Sequence, residues 1–133
     1  MIVIDASSLA KYILKENNWG KIRKYLEEDI CSLNLALVEI SNAIWKHHVL
    51  YHEFNKKEAM LAFEAVRLLK DIVILESFEN YLGSAMEISN KHGIPIYDAL
   101  YLSQAQKHRR IITSDKLQRD VAGKMGIEVE YVE

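Results

Sequence analysis

Cysteine is nearly absent: Cys31 is the only one in 133 residues. A lone thiol cannot close an internal disulfide, which excludes a disulfide-stapled scaffold and a multi-cysteine zinc cluster and fits a reducing compartment. Pro95 is the only proline and the five glycines are scattered, so no flexible or proline-rich linker divides the chain. Neither sign of charge dominates, with 17 Lys and Arg against 19 Asp and Glu. That excludes a globally basic nucleic-acid binder, but not an acidic centre neutralised by cations beside local basic patches. No apolar run approaches the roughly 18 residues of a membrane span. The opening Met1-Ile2-Val3-Ile4-Asp5 has no basic stretch and carries a carboxylate at position five, unlike a secretion signal. With half its residues hydrophobic, the chain can bury a real core without staples. The expectation is one cytoplasmic domain spanning residues 1–133, with no membrane partner.

What the chain does contain is a series of short apolar runs separated by helical stretches. Ile2-Val3-Ile4 is wholly apolar and β-branched, as in a strand covered on both faces. Ser7 or Ser8 can cap a helix starting at Leu9, and a second helix is expected from Trp19 to about Glu28. Ile30-Cys31-Ser32 reads as a brief strand, with Ser32 or Asn34 capping a helix through Val38, Ile40, Ile44 and Trp45. Asn55 caps another helix, Ile72-Val73-Ile74-Leu75 reads as a buried strand, and 78–92 as one helix stopped at Gly93. A helix from Tyr97 to His108, a strand Arg110-Ile111-Ile112-Thr113, a helix from Asp115 to Met125 and an edge strand from Ile127 to Val132 complete the pattern. Strands alternating with helices argue for an α/β sandwich around a mostly parallel sheet.

Four acids stand out against this frame. Asp5 closes the first strand, and Asp115 follows the strand ending at Thr113 by two residues; ligands of parallel sheets gather at such carboxyl ends. Glu39 and Asp98 lie in apolar helical contexts, Leu37-Val38-Glu39-Ile40 and Ile96-Tyr97-Asp98-Ala99, where an unpartnered carboxylate is costly. Any one of them taken alone can be a helix cap or half of a surface ion pair, and Asp115 in Thr-Ser-Asp-Lys-Leu has the look of a cap. If all four converge, each pair about 5 Å apart repels by roughly 3 kcal/mol at an effective dielectric of 20. Such a cluster must take up protons, find Lys or Arg, or bind a cation. An all-oxygen donor set suits the hard ions Mg²⁺ and Mn²⁺, and a site of that kind serves phosphodiester hydrolysis.

Four segments then carry a resemblance. Met1-Ile2-Val3-Ile4-Asp5-Ala6-Ser7-Ser8, Leu35-Ala36-Leu37-Val38-Glu39-Ile40-Ser41-Asn42, Ile94-Pro95-Ile96-Tyr97-Asp98-Ala99-Leu100-Tyr101 and Ile111-Ile112-Thr113-Ser114-Asp115-Lys116-Leu117 resemble, in order and spacing, the motifs of PIN-domain proteins. The likeness is greatest to the VapC-type toxin ribonucleases of toxin–antitoxin pairs. The resemblance implies a three-layer α/β/α PIN-like sandwich with a central parallel sheet and an acidic Mg²⁺ or Mn²⁺ site. Its four acids map onto Asp5, Glu39, Asp98 and Asp115, as both catalytic residues and metal ligands. Its small hydroxyl residues map onto Ser7, Thr113 and Ser114, orienting carboxylates or metal-bound water. It further implies an RNA substrate, a homodimer, and a cognate antitoxin protein.

Basic residues have two readings each. Lys11, one turn beyond Ser7, and Lys46, two turns beyond Glu39, are solvated helix lysines or phosphate contacts near the acids. Lys107-His108-Arg109-Arg110 is a helix end complemented by cations, or a patch in which Lys107, Arg109 and Arg110 track an RNA backbone. His48 and His52 have metal-binding spacing but no third ligand, which favours surface histidines. Trp45 is expected in the core or a dimer interface, Tyr12, Tyr97 and Tyr101 at a helix–helix dimer contact, and Cys31 as a small buried hydrophobe. Two other functions compete with the nuclease: a catalytically silent PIN-fold module binding RNA or a peptide, and phosphoryl transfer through an aspartyl phosphate on Asp5. The intact acid set argues against the first, and Asp5-Ala6-Ser7 in place of Asp-x-Asp against the second.

Overall fold

Three consecutive β-branched residues with no room for solvent on either side make Ile2–Ile4 a central strand, β1, and Val3 and Ile4 are fully buried. The computed structural model describes residues 1–133 and places β1 in the middle of a five-stranded sheet of order β3-β2-β1-β4-β5, every pairing parallel. The other strands are β2 (Ile30–Leu33), β3 (Ile74–Glu76), β4 (Arg110–Thr113) and β5 (Glu128–Tyr131). Parallel neighbours require crossover connections. These are supplied by α1 (Ala6–Ile13) with α2 (Trp19–Tyr25), α3 (Leu35–Trp45) with α4 (Lys56–Leu68), α5 (Leu82–His92) with α6 (Ile96–His108), and α7 (Lys116–Lys124). With right-handed crossovers, α1 to α4 cover one face and α5 to α7 the other, because the chain reverses its direction across the sheet after β3. The result is the three-layer α/β/α sandwich with a parallel sheet.

Local chemistry sets the element ends. Asp5, not Ser7 or Ser8, caps α1: its Oδ1 accepts from the Ser8 amide at 3.1 Å, so the helix opens at Ala6 rather than Leu9. Asn34 precedes α3 but makes no side-chain cap; its Oδ1 instead accepts from Phe78 N at 3.1 Å, tying β2 to the segment after β3. The third strand starts two residues later than the apolar run suggests. The amides of Ile72 and Val73 both still bond Leu69 O, so α4 unwinds through a 3₁₀ turn before the strand can begin. The expected 78–92 helix is a 3₁₀ turn, Phe78–Tyr81, followed by α5, which Gly93 ends in the left-handed conformation at φ 63°. Trp45 is 48% exposed, which removes it from the core. His52 leaves the helix at φ 54°, and His48 Nδ1 lies 2.8 Å from Phe54 O, so the two histidines share no face.

Before α4 the expected cap is present in full. Asn55 Oδ1 accepts from Glu58 N at 2.8 Å, and Glu58 Oε1 accepts from Asn55 N at 3.0 Å. Asn55→Ala is expected to cost about 1 kcal/mol, measurable as a lower urea midpoint at unchanged slope.

The element that matters most for the site is α6. Residues Ala99 to Ala105 are all buried, because the helix lies on β1, β2 and β4 and is flanked by α5 and α7. Its amino end points its first-turn carboxylate, Asp98, to the same end of the sheet at which β1 and β4 finish. No helix is long and apolar enough to cross a membrane.

Candidate active site

The sheet has one topological switch point. From β1 the chain travels to β2 and β3, then crosses back to β4 and β5, so the connections leaving β1 and β4 diverge and open a crevice at their carboxyl ends. Asp5 and the segment Thr113-Ser114-Asp115 stand at that crevice, and Asp5 N donates to Ile112 O at 3.2 Å.

Asp5 is held by three donors. Ser7 Oγ donates to Oδ1 at 2.6 Å, Thr113 Oγ1 to Oδ2 at 2.5 Å, and the Ser8 amide to Oδ1. The donors are themselves fixed: Ser114 N donates to Ser7 Oγ at 3.0 Å, Asp115 N to Thr113 Oγ1 at 3.1 Å, and the Ser8 and Ser114 hydroxyls are 2.9 Å apart. Despite these bonds, which favour the carboxylate, burial pushes the Asp5 pKa up from 3.8 to about 6, and the charge of Asp115 adds to it. Desolvation wins because only 3% of the residue reaches solvent.

The other three acids feel one another and Asp5. Glu39 of α3 is raised by burial and then by the charges of Asp5 and Asp98, while Asp98 is raised by burial and then by Asp115. Asp5–Asp115, Asp115–Asp98, Asp98–Glu39 and Glu39–Asp5 thus close a ring of repulsions. Asp115 caps α7 through one oxygen, Oδ1, which accepts from Gln118 N at 2.9 Å, leaving the second oxygen without a protein donor. Asp98 accepts no hydrogen bond from the protein. None of the four is paired with a Lys, Arg or His, although seven such pairs exist elsewhere. A ring of uncompensated carboxylates beside two small hydroxyls fits a hard divalent cation. No three of these acids bring oxygens within 4.8 Å of one another; that separation is met only by Cys31, Glu76 and His108. The fit is therefore to an ion that keeps several waters and touches only one or two carboxylates directly, as Mg²⁺ does.

The structure does not gather the basic candidates at the crevice. Lys11 Nζ donates to Asn17 O at 3.1 Å. Arg110 opens β4 at its amino end, roughly 10 Å along the strand from Thr113, and is bonded to Glu130 at 2.7 Å. Lys107 lies 3.7 Å from Glu76, and Arg109, at φ 72°, makes the turn between α6 and β4. Lys46, just past the end of α3 and two turns beyond Glu39, is exposed and makes no ion pair.

Tyr101 belongs to the site rather than to a dimer contact. It is 2% exposed, and its hydroxyl donates to Glu39 Oε1 at 2.8 Å. The available signal was its spacing: three residues beyond Asp98 on one helix, it shares that residue's face. Burial, followed by the Glu39 charge, drives the Tyr101 pKa far above the ordinary phenol value, so it remains a donor at any physiological pH. Tyr101→Phe frees Glu39 to rotate and leaves it less solvated. The expected result is a metal affinity lower by roughly 10–100-fold, read as a raised Mn²⁺ requirement for activity that excess Mn²⁺ restores.

The model of the PIN-domain family matches residues 2–124, a span that contains all four acids, Ser7, Tyr101 and Thr113. The chain belongs to the PIN-domain family. This PIN domain is 25% identical over 124 residues to a protein named Ribonuclease VapC3 from Pyrobaculum aerophilum, covering 86% of this chain and 89% of that one. Among solved structures it resembles that of PAE2754 from the same organism, with a TM-score of 0.64 at 24% identity over 96% of this chain and 89% of that one, a likeness of fold. The PIN-domain fold expected from the sequence is thus the observed one.

Proposed function

We propose that this PIN domain is an endoribonuclease dependent on Mg²⁺ or Mn²⁺, acting as the toxin of a toxin–antitoxin pair. The observation that carries the reading is the ring of Asp5, Glu39, Asp98 and Asp115, mutually repelling and unpaired with any cation of the protein. The similarity to a protein named as a VapC ribonuclease supports RNA as substrate. Asp5 and Asp98 would hold the principal cation, with Asp115 and Glu39 completing the shell through water. A bound divalent ion supplies a water of lowered pKa and offsets the charge that develops on the phosphoryl oxygens. Ser7 and Thr113 stop the Asp5 carboxylate from rotating, and Tyr101 does the same for Glu39, so the acids are in place before substrate arrives. Hydrolysis joins the water oxygen to phosphorus and breaks the bond to the 3′ oxygen, leaving a 5′ phosphate and a 3′ hydroxyl.

Lys46 is the basic residue best placed to meet the RNA backbone; Lys11, Lys107, Arg109 and Arg110 have weaker claims from their positions. The proposed partners are RNA, a second copy of the chain, and a cognate antitoxin that offers an arginine to the carboxylates. The test is cleavage of an RNA panel by the purified protein. Mn²⁺-dependent production of 5′-phosphate ends, abolished by chelation, is expected. Cleavage that survives chelation, or none with any RNA and either metal, contradicts the reading.

A further inference from the structure

A second group of ligating atoms lies away from the acid ring. Cys31 of β2, Glu76 at the end of edge strand β3 and His108 at the end of α6 bring a sulfur, a carboxylate oxygen and a ring nitrogen within 4.8 Å of one another. They come from three elements far apart in sequence; α6 also carries Asp98, but no residue is common to the two groups. Cys31 is fully buried, while the side chains of Glu76 and His108 are 19% and 12% exposed, which leaves a route in from solvent. Gln104 Nε2 donates to both Ser32 O at 2.9 Å and Glu76 Oε1 at 3.0 Å, anchoring the carboxylate to the strand beside it.

Tyr81, only 6% exposed, lies beside them. Burial, then the approach of its hydroxyl to the Glu76 carboxylate and the charges of Glu76 and Cys31, raises its pKa.

We propose that Cys31, Glu76 and His108, with Tyr81 or a water as the fourth donor, form a binding site for a borderline-soft divalent ion such as Zn²⁺. A mixed sulfur, nitrogen and oxygen set of three protein ligands suits zinc and disfavours magnesium. Tetrahedral bonds of about 2.0–2.3 Å put neighbouring donors roughly 3.3–3.7 Å apart. The His108–Glu76 pair, now at 2.9 Å, must open slightly, and any wider pair must close by about 1 Å. Lys107, 3.7 Å from the other Glu76 oxygen and largely exposed, can swing aside. Burial pushes the Cys31 thiol up to about 12, so the entering ion displaces its proton to solvent, with no change of oxidation state. The consequence is a staple: the ion joins edge strand β3, β2 and the end of α6.

Co²⁺ serves as the probe, added to the full chain in a phosphine reductant with excess Mg²⁺ to occupy the acid ring. One equivalent is expected to give tetrahedral visible bands and a thiolate-to-cobalt charge-transfer band, displaced by Zn²⁺. Asp5→Asn should retain the signal, while Cys31→Ala and His108→Gln should each lose it. Should Cys31→Ala fail to fold, His108→Gln alone decides, since its side chain sits near the surface. Absence of the band in the unaltered chain, its persistence in His108→Gln, or its loss in Asp5→Asn overturns the proposal.

Discussion

Asp5→Asn is expected to lower RNA cleavage by roughly 10³-fold or more while yielding a folded and more stable protein. The loss follows from charge: a cation that contributes several kcal/mol to the barrier is no longer held, and each 1.36 kcal/mol is tenfold in rate. The gain in stability follows from burial. Holding a carboxylate ionised where its pKa is about 6 instead of 3.8 costs about 3 kcal/mol at neutral pH. Asparagine removes that cost, keeps the bonds from Ser7 and Ser8, and requires only that the Thr113 hydroxyl turn to accept. A net gain of about 1–2 kcal/mol remains after allowing for a weakened bond there. Urea denaturation in chelator and single-turnover cleavage measure the two effects. An unstable variant, or one as active as the parent with Mn²⁺, contradicts the assignment of Asp5.

The stability of the chelated protein is expected to fall as pH rises between about 4 and 7. A carboxyl whose folded pKa lies above its unfolded value keeps its proton longer in the native state, so the native state binds more protons across that window. Asp5, Glu39 and Asp98 are all raised and all act in this direction, with Asp5 alone contributing about 3 kcal/mol. Glu76 has the opposite sign. Burial would raise it, but bonds from Gln104, His108 and Tyr81 outweigh burial and hold it near 2, so its contribution is full above about 4.5 and lost only as pH falls through 2. The acid ring therefore dominates the window between 4.5 and 6. Saturating Mn²⁺ should cancel or reverse the slope, because metal and protons compete for the same oxygens. Asp5→Asn should flatten it. A chelated protein whose stability is flat or rising from pH 4.5 to 7 would show that these carboxyls are not strained.

What could be read from the residues followed how local the physics is. Ile2-Val3-Ile4 and Arg110-Ile111-Ile112-Thr113 announce buried strands because β-branched apolar runs have few other destinations, and the Asn55 cap needs only three residues. Gly93 ends α5 for an equally local reason. Less legible were features decided by tertiary context. The start of β3 was set by α4 unwinding through Leu69, and the placement of Tyr101 by α6 being buried on every side, which a surface-helix pattern does not convey. The position of Arg110 at the amino end of β4, opposite the crevice, follows from strand direction, information that composition and spacing lack. That Cys31, Glu76 and His108 meet could not be read at all, since it depends on how α6 crosses β2 and β3.

The central claim is that four distant carboxylates act as one cation site. Calorimetric titration of Mn²⁺ into the chelated protein at pH 6, in two buffers of different ionisation enthalpy, tests it directly. Saturable binding with release of protons is expected, because Asp5 is about half protonated at that pH. The heat should be greatly diminished in Asp5→Asn and in Asp98→Asn. Binding that releases no proton and is equally tight in both variants would contradict the account.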